Sequence, residues 1–274
     1  MTARKLLIVN ADDFGLTPDV NQGIVEAHRR GILTATTLMT NGEAFDDAVR
    51  LARQVPSLDV GCHLVLVGGR SLMTGRPLPA TVRLFLAALA RREFSIADEL
   101  TAQLRRMLDA GMRPTHLDTH KHTHLAPPVL DAVARIAEEF DVRWIRSPFD
   151  FPLPSGRIAV PPGKRLTSGA LGLLRGRFRR VLARHHCRTT DFFTGFQVTD
   201  LLQTGQLVEL LTAIRPGSTE LMCHPGFCRE PLRQARTRLK ESRERELEAL
   251  TAPEVLQTVE RCGIELVNYA ALAV

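Results

Sequence analysis

A chain of 274 residues that is 44% hydrophobic can bury a large core, and its length fits one α/β barrel or one large sandwich as well as two small domains. Five cysteines (Cys62, Cys187, Cys223, Cys228 and Cys262), with no CxxC pair, exclude a disulfide framework and a zinc knuckle and point to a reducing compartment. The formal charge of +6 is concentrated between Lys164 and Arg188. One Trp, one Tyr and no recognisable nucleic-acid module argue against a nucleic-acid partner.

In chain order, strand-like runs are expected at Leu6–Asn10, Thr34–Met39, Leu58–Val65, Thr115–Thr119, Val142–Ser147, about Thr190–Phe193, Thr219–Cys223 and Ile264–Asn268. Helical periodicity lies between most of them. It is clearest from Pro127 to Phe140, where Val129, Val133, Ile136 and Phe140 recur at helical spacing and two prolines suit the first turn. Ala44–Gln54 and the charged stretch Leu232–Leu250 read as further helices. Strands separated by helix-length crossovers make parallel βα units. About eight such units predict a distorted (β/α) TIM-like barrel, a single domain over residues 1–274 with a basic helical insert at about 164–188. Val67–Pro79 and Pro148–Gly163 are rich in Gly and Pro and follow strand ends, which makes them expected substrate-binding walls or lids.

The chemistry gathers at the strand ends. Asp12 and Asp13 follow the apolar run Leu6–Val9, and two adjacent carboxylates at the end of a buried strand call for a metal ion, a basic group or a shared proton. His63 follows Leu58–Cys62, His120, His122 and His124 follow Thr115–Thr119, and His224 follows Thr219–Cys223. Any one of these histidines is more simply a hydrogen-bonded core or surface residue. Together with the paired aspartates they describe one convergent site, suited to a divalent metal ion: Zn or Mg first, with Mn, Co or Ni also compatible. Alternate residues share a side only while the chain is extended, so His120, nearest the strand end, is the expected ligand of its cluster. His122 and His124 are expected at substrate or behind the ligands, and Asp118 is placed to orient a ligating imidazole. Cys62 and Cys223 should point away from the site.

Four ordered segments carry a resemblance: Ile8-Val-Asn-Ala-Asp-Asp-Phe-Gly15, Gly61-Cys-His-Leu64, Thr115-His-Leu-Asp-Thr-His-Lys-His122 and Met222-Cys-His-Pro-Gly226. Nearly end to end, the chain resembles the YdjC/ChbG-like carbohydrate deacetylases. Leu64–Arg70 and the basic insert look similar to the hopanoid-associated branch called HpnK. The resemblance implies a distorted barrel in which Asp13, His63 and His120 hold the metal and Asp12 is the general base, with an N-acetylated sugar or N-acetylglucosaminyl glycolipid as substrate. On this reading His224, as imidazolium near neutral pH, protonates the leaving amine. Two rival classes share these residues: a metal-dependent phosphoesterase, and a non-catalytic scaffold of a membrane-associated pathway.

The insert offers Leu171, Leu174, Phe178, Val181 and Leu182 at helical spacing opposite Arg175, Arg179, Arg180 and Arg184. Such a face can lie on an anionic membrane, or it can pack on the barrel as an ordinary outer helix. With an N-terminus that runs straight into a strand, the expected location is the cytoplasm, peripheral at the inner membrane face under the membrane reading. A homodimer stays open.

Overall fold

The computed structural model describes residues 4–153 and 158–272. All eight expected strands are present: β1 (Lys5–Phe14), β2 (Ala35–Leu38), β3 (Asp59–Leu64), β4 (His116–Thr119), β5 (Trp144–Ile145), β6 (Phe192–Thr194), β7 (Gly217–Cys223) and β8 (Ile264–Leu266). Every ladder between them is parallel. The order β5-β4-β3-β2-β1-β7-β6 makes a curved sheet whose two edges, β5 and β6, meet through the isolated bridges Trp144↔Arg188 and Asp150↔Phe193. A distorted (β/α) barrel results. β8 does not complete a ring. A strand has two edges, and β7 takes one edge of β1 from Lys5 to Ala11, so β8 shares the other edge with β2, pairing Lys5–Leu7 below β2's partners Asn10–Phe14.

Alternation along the strands sorts the side chains. Leu7, Val9 and Ala11 of β1, Val60, Cys62 and Leu64 of β3, Leu117 of β4, Ile145 of β5 and Leu221 and Cys223 of β7 join the main apolar core. The opposite parity fills the barrel interior. At its floor sit Ile8, Ala35, Trp144 and Tyr269, a separate apolar cluster. Further along the same faces come Asn10, His116 and Glu220, and at the rim Asp12, His63, Asp118 and Arg146, all buried. The interior thus grades from apolar to charged toward the strand C-termini, where the loops converge.

Two expectations change, and the insert gains detail. The long helix expected over Leu232–Leu250 is two, Glu230–Gln234 and Glu241–Thr251. Between them Thr237 competes for the backbone, its hydroxyl accepting from the Leu239 N–H, and the chain is extended at Ala235. Val142–Ser147 gives only a two-residue strand, since Pro148 has no N–H to continue a ladder. The insert is a helix at Pro162–Leu171, a 3₁₀ turn at Gly172–Leu174 and a helix at Arg175–Arg184. Of the apolar stripe, Phe178, Val181 and Leu182 are buried in the core against the helix Pro127–Glu139, the outer-helix alternative of the two, while Leu171 and Leu174 are partly buried. No helix among the described residues is long and apolar enough to cross a membrane.

The Val67–Pro79 loop is a pinned hairpin: buried Glu99 accepts from the Ser71 hydroxyl at 2.6 Å and from the Leu72 N–H at 3.0 Å. Residues 154–157 of the second Pro-rich loop lie outside the described residues.

Gly61 is a packing constraint of the interior. A Cβ there would lie 2.5 Å from His116 Cε1 and 2.6 Å from the His116 carbonyl oxygen. Gly61→Ala should therefore destabilise the fold by about 1–3 kcal/mol in urea unfolding. Gly205→Ala, in the helix Thr204–Thr212 with nothing within 4 Å of the new Cβ, should be neutral or stabilise by about 0.5–1 kcal/mol. Equal effects at the two sites would contradict the packing described.

Candidate metal centre at the barrel mouth

Regular alternation would send Asp12 and Asp13 to opposite faces of β1. A register shift between Ala11 and Phe14 prevents this, with Asp13 at φ +69°, a left-handed conformation that aspartate tolerates better than most residues. Both carboxylates consequently turn into the mouth. Asp12 meets Arg146, which follows β5 and is fully buried: Nη1 donates to Oδ2 at 2.8 Å and Nη2 to Oδ1 at 2.7 Å. The same guanidinium reaches Asp118 Oδ2 at 2.6 Å and, through Nε, Glu220 Oε1 at 2.6 Å. Burial by itself would raise the Asp12 pKa, but Arg146 and His63 overcome it and hold the carboxyl below the usual range. Asp12 is ionised and its orientation fixed.

Asp13 has different company. Arg243, from the helix Glu241–Thr251, donates through Nη2 to Asp13 Oδ2. Asp13 Oδ1 is buried without a hydrogen-bond partner and lies 3.5 Å from His63 Nε2 and 3.2 Å from His120 Nδ1. Those two nitrogens are 3.2 Å apart. His63 is oriented from behind, its Nδ1 lying 2.6 Å from Asp118 Oδ1, so Nε2 is the nitrogen aimed at the cluster. Burial disfavours a charged His63, yet the Asp118 and Asp12 carboxylates raise its pKa to about 10.

Two carboxylate/histidine groups are close enough to hold an ion: Asp13–His63–His120 and Asp12–His63–Asp118. Arg146 decides between them. In the second group both carboxylates are already bound to a guanidinium, whereas in the first an orphaned carboxylate oxygen faces two imidazole nitrogens. The donor set N, N, O of the first suits a divalent cation of the Zn, Mn or Co type. Charge balance agrees. Among the described residues Asp12, Asp13, Asp118 and Glu220 are paired with two guanidiniums, Arg146 and Arg243, and otherwise with imidazoles, so a divalent ion that takes the place of the His63 proton would sit among excess negative charge.

The other expected residues divide. His224 Nε2 lies 3.9 Å from Asp12 Oδ2, at the opposite side of the mouth, as expected from its strand end. Its protonation state differs from expectation: burial pushes it down to about 4 against the pull of Asp12 and Asp13, so the resting imidazole is neutral rather than an imidazolium near pH 7. His122 and His124 leave the cluster. The chain folds into a 3₁₀ turn over His120–Leu125, with Lys121 and His122 left-handed at φ +55° and +51°. His124 Nδ1 bonds the Thr119 hydroxyl at 2.6 Å, and His122 packs edge-on to Phe193 and Phe196. Cys62 and Cys223 face the outer core, as expected. Among the described residues, sequence reasoning missed Arg146, Arg243, Glu220 and Glu246. Arg146 and Glu220 had a signal: each is a charge inside a strand-like run, at the parity that faces the barrel interior.

A partial (β/α) barrel with a carboxylate/histidine centre at its C-terminal mouth is the class that fold and site define. Residues 6–261 match the family described as YdjC-like protein, and the chain belongs to that family. It is 33% identical over 270 residues to a carbohydrate deacetylase of Geobacillus stearothermophilus, covering 96% of both chains. With a chitooligosaccharide deacetylase of Salmonella paratyphi C (strain RKS4594) it shares 34% over 238 residues, 84% of this chain and 85% of that one. A solved structure from Enterococcus faecalis V583, of a candidate cellobiose-phosphate cleavage protein, superposes with a TM-score of 0.78 at 27% identity, covering 98% of this chain and 99% of that one.

Glu246 gives this region a pH signature. It accepts the His224 N–H at 2.6 Å, its other oxygen is buried without a partner, and burial pushes its pKa up to about 7 from an ordinary 4.5. A carboxyl raised in the folded state contributes fully below its unfolded pKa, and that contribution is lost as pH rises through the folded value. In chelator-treated protein, Glu246→Gln should match the wild type in urea unfolding near pH 4. It should gain on the wild type between about pH 4.5 and 7, by up to about 3 kcal/mol at pH 8. A pH-independent difference would refute the assignment.

Proposed function

We propose that the protein is a metal-dependent carbohydrate N-deacetylase that hydrolyses the acetamide of an N-acetylated sugar, either an oligosaccharide or an N-acetylglucosaminyl glycolipid. The observation that carries this reading is the division of labour at the barrel mouth. Asp13, His63 and His120 converge with one carboxylate oxygen unpartnered, while the adjacent Asp12 is locked on Arg146. The deacetylases of Geobacillus and Salmonella support it at 33% and 34% identity.

Asp13, His63 and His120 would hold the cation. When bound, it supplies Lewis-acid polarisation of the acetamide carbonyl, a more acidic water and positive charge for the developing oxyanion. Asp12, ionised and fixed by two parallel hydrogen bonds, accepts the proton of the attacking water. Held below the ordinary carboxylate range by Arg146, Asp12 is a weak base at rest, so the transfer would depend on the greater acidity of a water beside the cation. His224, neutral at rest and 3.9 Å from Asp12, is placed to receive a proton during the cycle and pass it to the leaving amine. Arg243 keeps the second oxygen of Asp13 occupied, so the carboxylate presents Oδ1 alone.

The phosphoesterase reading loses ground at one point. A two-metal site would recruit Asp12 and Asp118, and both are bound by the buried guanidinium of Arg146. A scaffold that binds membrane through the basic helix would need the stripe Phe178, Val181 and Leu182, which is buried.

Acetate and phosphate release should be measured together on N-acetylated sugars, N-acetylated glycolipids and phosphate monoesters. Acetate release alone is expected, and its preference for free or lipid-linked sugar identifies the substrate. Asp12→Asn should keep the metal and lose about 10²–10⁴-fold in kcat, whereas Asp13→Ala, His63→Ala and His120→Ala should lose metal and activity together. Full metal content in all three of the latter variants would overturn the ligand assignment. Near-normal kcat in Asp12→Asn would overturn the base.

A further inference from the structure

Two groups hold the Asp12 carboxylate, and each is itself held. On one side is Arg146, whose Nε donates to Glu220 Oε1 at 2.6 Å. On the other is Asn10, two residues back on the same face of β1, whose Nδ2 donates to Asp12 Oδ1 at 3.3 Å. Asn10 Oδ1 lies 3.0 Å from His116 Nε2, and an amide oxygen only accepts, so Nε2 carries the hydrogen. His116 Nδ1 is then the acceptor for the Thr115 hydroxyl at 2.9 Å. The ionised Asp12 can only accept, which turns the Asn10 Nδ2 toward it and Oδ1 toward His116, and so sets the His116 tautomer.

Both arms end on one side chain. Tyr269, from the short C-terminal helix Tyr269–Leu272, enters the barrel from its floor and is 1% exposed. Its hydroxyl donates to Glu220 Oε2 at 2.6 Å, and its ring stacks on His116 with centroids 3.9 Å apart and planes at 19°. The backbone is pinned as well, since the N–H groups of Tyr269 and Ala270 both reach Asp59 Oδ2. A closed circuit runs Asp12, Arg146, Glu220, Tyr269, His116, Asn10 and back to Asp12.

We propose that Tyr269 is a positioning residue for Asp12, setting the carboxylate's orientation through Glu220 and Arg146 on one arm and through His116 and Asn10 on the other. The inference rests on the reading of Asp12 as the base. Tyr269 touches neither substrate nor the reacting atoms. Its hydroxyl keeps the second oxygen of Glu220 occupied, so that Oε1 stays on Arg146 Nε and the two Nη groups of Arg146 stay parallel to Asp12. Without the hydroxyl, Glu220 Oε2 is a buried acceptor with no partner, and the carboxylate can rotate to compete for Nε with both oxygens.

The test uses the metal-loaded full chain carrying Tyr269→Phe, which removes the hydroxyl and keeps the stack on His116. The expected result is a kcat about tenfold lower with KM within about twofold and metal content unchanged. The Arg146 Nε–H resonance, followed by ¹⁵N NMR, should move and exchange faster with solvent. Glu220→Gln reaches the same contact from β7 and serves if Tyr269→Phe does not fold. Combined, the two changes should lose no more than the larger single loss, because they act through one contact. An unmoved Arg146 resonance, a raised KM with kcat retained, or losses that multiply in the double variant would each overturn the proposal. Should the wild type release no acetate, the deacetylase reading fails by itself, and the Arg146 resonance still decides whether Tyr269 positions the carboxylate's partner.

Discussion

The site depends on one buried guanidinium. Arg146 is fully enclosed and is shared by Asp12, Asp118 and Glu220, three carboxylates from three different strands. Burying any one of them alone would cost several kcal/mol, and burying Arg146 without them would cost at least as much. The barrel's upper interior is therefore stable only as a set. The planar fork also imposes direction: two parallel hydrogen bonds to Asp12 leave that carboxylate little freedom, which a lysine ammonium at the same place could not do.

Several other features follow from that one commitment. Because Arg146 takes Asp12 and one oxygen of Asp118, the remaining oxygen of Asp118 turns to His63 Nδ1 and sets the imidazole. Because Asp12 is taken, Asp13 is the carboxylate left to face His63 and His120, and the irregularity in β1 with its left-handed Asp13 brings it there. The bulge is a local strain of the kind that persists where surrounding structure holds it. At the floor of the barrel Trp144 and Tyr269 supply the apolar volume on which the polar layers rest.

Much of this was legible in the sequence, and the limits have physical causes. Each strand could be found because it is short, apolar and bounded by helical or turn residues. Parallel order then placed Asp12, Asp13, His63, His120 and His224 on one rim without any knowledge of their distances. The facing of Cys62 and Cys223 followed from alternation. Glu220 sits inside the apolar run Thr219–Cys223 at the parity of His224, a signal that was present. Arg146 carried the same signal within Val142–Ser147, weakened because it is one of 36 basic residues. Arg243 and Glu246 left no trace, because the helix Glu241–Thr251 is charged on every side and only tertiary packing selects which residues turn inward. The His224 proton was misjudged for a related reason: an unperturbed pKa ignores burial, which here is the largest influence.

The central claim is that Arg146 satisfies Asp12 and Asp118 and leaves Asp13, His63 and His120 as the seat of a divalent cation. Without an ion, the carboxylates of Asp118 and Asp12 keep His63 protonated up to about pH 10, and a cation can bind Nε2 only by displacing that proton. Calorimetric titration of the metal-free protein with Zn²⁺ at pH 8, repeated in buffers of different ionisation enthalpy, counts the protons released. The account predicts about one proton per ion bound, and an affinity that climbs about tenfold for each pH unit toward 10. Binding with no proton released and no dependence on pH would contradict it.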